Sequence, residues 1–124
     1  MSVTDRLHDM RTGIDSCSLI AFGDLRTRLV LVSSATRQQP QERLDLLCRE
    51  AAACFDAIDL DIVRAYRPEL ADAPLRNIFV LTPRETRVHV RSETDVSDVL
   101  SGVCGPAGDA IALASGSSDT LAGI

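Results

Sequence analysis

The sequence predicts an α+β domain with the element order α-β-β-α-β-β-β-α, on the strength of three observations. Apolar residues recur at helical spacing over residues 3–14 and again over 40–58. Short apolar runs fill 18–33 and 77–91, each broken once by a turn. A further apolar run at 98–104 gives way to small residues suited to a closing helix.

The first helix rests on Val3, Leu7, Met10 and Ile14, spaced by four, three and four residues. Ser2 or Thr4 can cap its start, and Gly13 stands where a left-handed stop is expected. Ser18 to Phe22 reads as a buried strand, Gly23 to Arg26 as a turn, and Arg28 to Ser33 as the returning strand. So short a turn makes the pair antiparallel. Pro40 suits the first position of the long helix, and Glu42 favours its positive end. Residues 59–76 prolong that helix to about Tyr66, where Pro68 and Pro74 discourage regular structure. Asn77 to Thr82 is the third strand and turns at Pro83, Arg84 and Glu85. Thr86 to Arg91 alternates strictly, with Val88 and Val90 toward a core and Arg87, His89 and Arg91 on the other side. Asp98 to Cys104 is the fifth strand, weakened by Gly102. Pro106 opens a short helix from Ala107 to Ser115. Residues 1–116 thereby make a single domain and 117–124 a flexible tail.

The long helix carries two apolar faces. Leu44, Leu47, Cys48, Ala51, Phe55 and Ile58 share one broad stripe, with Cys54 at its edge. Almost opposite lies a narrower line of Leu46, Ala53 and Ala57, with Arg43 and Glu50 at its margin. A surface helix of a monomer needs only one such face. The second suits a close helix crossing with another copy of the chain, through Leu46, Glu50, Ala53 and Ala57. The alternative is an Ala-rich helix whose alanines simply face solvent.

Composition excludes several classes. A chain of 124 residues fits one domain and can bury a core without disulfides or metal. The net charge of −5 opposes non-specific nucleic-acid binding. All thirteen cations are Arg, so neither Schiff-base chemistry nor a phosphate-binding P-loop Lys is available. No apolar run approaches a membrane span, and the charged start MSVTDRLHDMR has no apolar centre, so a cytoplasmic protein is expected. In a reducing compartment Cys17, Cys48, Cys54 and Cys104 are expected as free thiols, and their spacing makes no zinc motif.

Three clusters carry residue types capable of chemistry. Cys104 lies in the turn Gly102-Val-Cys-Gly-Pro-Ala-Gly108, where a following helix start would lower its pKa. A nucleophile needs a base, however, and His8 and His89 are the only histidines. Arg84, Arg87, His89 and Arg91 form the densest basic patch, which could receive an acidic partner surface; the plainer reading is that they pair with the chain's own carboxylates. Asp56, Asp59 and Asp61 are spaced as on any solvated helix end. No catalytic, cofactor or metal residue is therefore assigned.

Ile14-Asp-Ser-Cys-Ser-Leu-Ile-Ala21 resembles the approach to the first strand in the Roadblock family, the dynein-light-chain and bacterial gliding-regulator type. Arg28 to Ser33 resembles that family's second strand, and Val99 to Leu113, VLSGVCGPAGDAIAL, its last strand and closing helix. The resemblance spans roughly residues 3 to 115 and carries no catalytic signature. It implies a profilin/Roadblock-like five-stranded antiparallel sheet with helices on both faces, in a homodimer or family heterodimer. It also implies a non-enzymatic scaffold or regulator without cofactor, acting on a small Ras-like GTPase or a signalling assembly. Recognition of a partner is then expected from the 59–76 connection and the Arg84–Arg91 hairpin. The alternative is a small-ligand sensor of the PAS, GAF or profilin kind, disfavoured by the absence of Trp and the single Tyr.

Overall fold

The computed structural model describes residues 1–58, 60–70, 72, 74–106 and 108–124. Its elements run α1 (Val3–Gly13), β1 (Cys17–Asp24), β2 (Leu29–Ala35), α2 (Gln41–Ala57), α3 (Leu60–Tyr66), a 3-10 turn (Pro68–Leu70), β3 (Asn77–Leu81), β4 (Thr86–Arg91), β5 (Asp98–Cys104) and α4 (Ala110–Ala122). The five strands form one sheet in the order β2-β1-β5-β4-β3, every neighbouring pair antiparallel. The expected sheet is present, with helices on both faces.

Strand alternation splits the core in two. Ile20, Phe22, Val88, Val90 and Leu100 face α1 and α4, where Leu7, Leu113 and Leu121 meet them. Leu19, Ala21, Val30, Ile78, Val99 and Val103 face α2, where Leu44, Leu47, Cys48, Ala51 and Phe55 cover them. The wide stripe read from the sequence is therefore the buried one, except that Ile58 is 38% exposed beyond the helix end.

Local chemistry moves several boundaries. Ser2 caps α1 in a reciprocal capping box with Asp5. The left-handed residue after α1 is Ser16, at φ 63°, rather than Gly13. β1 runs through Gly23 to Asp24, so the turn lies at 25–28. Asp24 organises that turn: its side chain accepts from the Arg26 N–H at 3.2 Å and the Thr27 hydroxyl at 3.0 Å, and Arg28 takes the left-handed conformation at φ 59°. Gly23 serves a different need, since a Cβ there would lie 2.9 Å from the Cys48 Sγ where α2 crosses the sheet.

Two expectations fail. The long helix does not continue to Tyr66: Ile58 is extended at φ −77° and ψ 120°, and α3 is a separate helix. The tail expected at 117–124 is instead the second half of α4, with Ser117 and Leu121 buried. The expected helix start, Ala107, lies outside the described residues. The described helix is capped by Asp109, whose carboxylate accepts from the Ala112 N–H at 2.9 Å.

Candidate protein interaction face

α2 is held at both flanks by polar side chains, and this leaves one face of the helix free. On one flank Asp45 accepts from the Val30 N–H at 2.8 Å, while Gln41 donates to the Val30 carbonyl at 2.9 Å and to Asp45 at 2.9 Å. The outer main chain of β2 is thus partly satisfied by the helix, which blunts that sheet edge. On the other flank Glu50 takes both Arg87 Nε, at 2.8 Å, and Arg87 Nη2, at 2.9 Å. The same carboxylate receives His89 Nε2 at 2.7 Å, and His89 Nδ1 meets the Ser101 hydroxyl at 2.7 Å.

The protonation states follow from burial. His89 is completely buried, and that desolvation keeps its pKa below the ordinary value although Glu50 pulls the other way. A neutral ring then donates from Nε2 to Glu50 and accepts the Ser101 O–H at Nδ1. Burial opposes the charge on Glu50, but the hydrogen bonds from Arg87 and His89 outweigh it and hold the carboxyl below its ordinary range. Arg87 is correspondingly raised by Glu50 first and Glu85 second.

Serine, histidine and glutamate in a hydrogen-bonded file invite a catalytic reading, which burial removes. Ser101 is 2% exposed, so no substrate reaches its hydroxyl, and the file works as a strut between helix and sheet. Cys104 is equally enclosed. Burial, and then Asp109, push its thiol pKa up, which is the reverse of an activated thiolate.

The open basic patch expected of Arg84, Arg87, His89 and Arg91 does not form. The strand does alternate, but α2 covers the side opposite Val88 and Val90. Arg87 is taken up by Glu50 and Glu85, His89 is buried, and Arg91 lies over the Phe55 ring; Arg84 alone is exposed. Glu50 faces inward to this cluster rather than across a helix crossing. The plainer sequence reading, that these residues pair with the chain's own carboxylates, holds for Arg87 and His89, but it did not identify Glu50 as the partner. The available signal was the position of Glu50 on the helix flank, between the core stripe and the second line.

The second line remains open on α2, beside the exposed polar residues Glu42, Arg49 and Asp56. Leu46 is 55% exposed, and Ala53 and Ala57 are exposed beside it. A cavity of about 170 Å³ adjoins it, between Arg43, Leu46, Leu47 and Glu50 of the helix and Glu85 and Arg87 of the β3–β4 hairpin. β3 is the other sheet edge, and it exposes Phe79 and Leu81 on the face turned away from α2. α3 buries none of its side chains, leaving Ile62 at 58% and Tyr66 at 83% exposure. No described helix is long and apolar enough to cross a membrane.

An antiparallel 2-1-5-4-3 sheet with one helix on one face and a terminal pair on the other is the Roadblock fold. Solved structures of that class superpose over nearly the whole chain. The Roadblock/LC7 domain from Streptomyces avermitilis matches with a TM-score of 0.72 at 10% identity, covering 99% of this chain and 94% of that one. The gliding protein MglB from Thermus thermophilus matches at 0.69 with 13% identity, over 96% and 82% of the two chains. MglC from Myxococcus xanthus matches at 0.58 with 9% identity, over the full length of both. No protein-family model and no curated protein matches the sequence.

Proposed function

We propose that the chain is a non-enzymatic regulatory scaffold of the Roadblock type that pairs with itself through the outer face of α2. The carrying observation is the apolar line of Leu46, Ala53 and Ala57, left in solvent on the side of the helix away from the sheet. An exposed Leu beside small residues on a rigid helix permits close approach of a second helix, near the short end of the usual 8–10 Å separation. Self-association is consistent with a similar structure described as MglB in a tetrameric arrangement, which matches at a TM-score of 0.70 and 13% identity over 96% of this chain. The scaffold would act in the cytoplasm on a small Ras-like GTPase or another signalling protein. The exposed side chains of α3, with Arg84 at the hairpin tip, are the surface assigned to that partner.

Sedimentation at micromolar concentration tests the pairing. Wild type is expected as a dimer and Ala53→Glu as a monomer, since the variant sets a charge and extra volume at the crossing. A monomeric wild type overturns the reading. A dimer indifferent to the substitution overturns the α2 face and moves the contact to the open edge at β3.

A further inference from the structure

The guanidinium of Arg91, at the end of β4, sits 4.2 Å from the centre of the Phe55 ring. Its Nε is enclosed, and among the described residues it has no hydrogen-bond acceptor and no carboxylate forms an ion pair with the guanidinium. The neighbouring cations are already engaged: Arg76 binds Glu93, and Arg64 has bonding within the protein. Stacking on an aromatic face offsets part of the cost of enclosing a guanidinium, but it satisfies none of its N–H donors. Arg91 is therefore a charge held in place by packing and short of an acceptor.

Beside it opens a cavity of about 430 Å³, whose wall carries apolar atoms of Phe55, Leu60, Leu75 and Val96, three arginines (Arg64, Arg76 and Arg91), Ser92 and one carboxylate, Glu93, which Arg76 neutralises. That volume lies within the range of small-molecule sites, about 300–1,000 Å³. Val96 is 69% exposed at the mouth, so the cavity is reached from solvent.

We propose that this cavity binds the carboxylate of an aliphatic acid, the anion on Arg91 and the hydrocarbon against Leu60, Leu75 and Val96. A single guanidinium suits a monoanion, and its two terminal nitrogens match the two oxygens of a carboxylate while the enclosed Nε stays out of reach. The chain's overall charge of −5 leaves the cavity as a local cationic spot that would not collect anions indiscriminately. A free aliphatic acid and the C-terminal carboxylate of a peptide ending in Leu or Val offer the same chemistry.

The test is an amide chemical-shift titration of the whole protein with hexanoate and with N-acetyl-Ala-Ala-Leu, against hexanamide and the amidated peptide. Saturable shifts at Phe55, Arg91 and Val96 are expected with the acids, and binding about tenfold or more weaker with the neutral amides. Arg91→Gln should lose a similar factor. Val96→Glu sits on the exposed rim, where folding is not at risk; its carboxylate at the mouth should weaken binding if Arg91→Gln fails to fold. A peptide that binds much more tightly than hexanoate identifies a chain terminus as the source, and equal affinities identify the free acid. The proposal is overturned by the absence of saturable shifts with both acids, by amides binding as well as acids, or by undiminished binding in a folded variant.

Discussion

Glu50 of α2 and His89 of β4 are joined by a 2.7 Å hydrogen bond across the interface between helix and sheet. The same carboxylate grips Arg87 through two nitrogens, so one side chain of α2 serves two groups of β4 that the helix covers. Glu50→Gln leaves Arg87 short of its counter-charge and disturbs a buried imidazole. A loss of about 1.5–3 kcal/mol is expected, the value of hydrogen bonds to a charged group. Urea denaturation measures it, and a midpoint equal to wild type would show that the cluster contributes nothing.

Acid should weaken the fold through the same pair. His89 ordinarily titrates at 6.5 and lies lower when folded, so on acidification the unfolded chain takes up the proton first. Its contribution is whole above 6.5 and declines as the pH falls toward the folded value. Glu50 ordinarily titrates at 4.5 and also lies lower when folded, so its contribution is whole above 4.5 and lost below. Stability should fall continuously from about pH 6.5 to about pH 4. Asp98, raised by burial, acts in the opposite sense at the acid end. Comparison with His89→Gln isolates the histidine: the variant's urea midpoint should vary less than wild type between about pH 6.5 and 5. Parallel curves would rule out the histidine contribution.

The sequence revealed its strands well and its polar cluster poorly, and the reason is physical. Thr86–Arg91 was legible because apolar and polar residues alternate along it, and Asp98–Cys104 because a short apolar run between turn residues marks a strand buried on both faces. The same alternation could not tell what lies over the other face. Whether Arg87 and His89 form an open patch or pair with carboxylates stayed open, because periodicity reports the side of a sheet and says nothing of a helix laid across it. Charge reversal at Arg87, a surface change by sequence reasoning, is in the fold the removal of Glu50's partner.

Gly102 read as a weakness in β5, and the packing gives it a purpose. A Cβ there would stand 2.8 Å from both terminal methyls of Leu113, which α4 buries completely against the sheet. The missing side chain is the socket for that leucine. Gly102→Ala should cost about 1–3 kcal/mol by overpacking. In the double variant with Leu113→Ala the two losses should sum to less than the singles, because the shortened side chain relieves the clash. Strict additivity in thermal or urea unfolding would show that the two do not compete for the same space.

The last helix shows where small residues hide a core element. Over 110–122 the buried positions are Leu113, Ala114, Ser117 and Leu121, a helical spacing of one, three and four. Only two of these are large and apolar, so GSSDTLAGI reads as a tail although its Leu121 is only 4% exposed. That leucine shares a core with Leu7, Val88 and Val90, and the Arg6 guanidinium ties the helix end by donating to the Gly123 carbonyl at 2.8 Å. Leu121→Ala should therefore cost about 2–4 kcal/mol, as removal of a buried leucine does where neighbours cannot fully collapse. Deletion of residues 117–124 should cost more, since it strips α4 of its second half and opens the β4 face of the core. Thermal unfolding of both variants decides the matter: a truncated chain as stable as wild type would return this segment to the status of a tail.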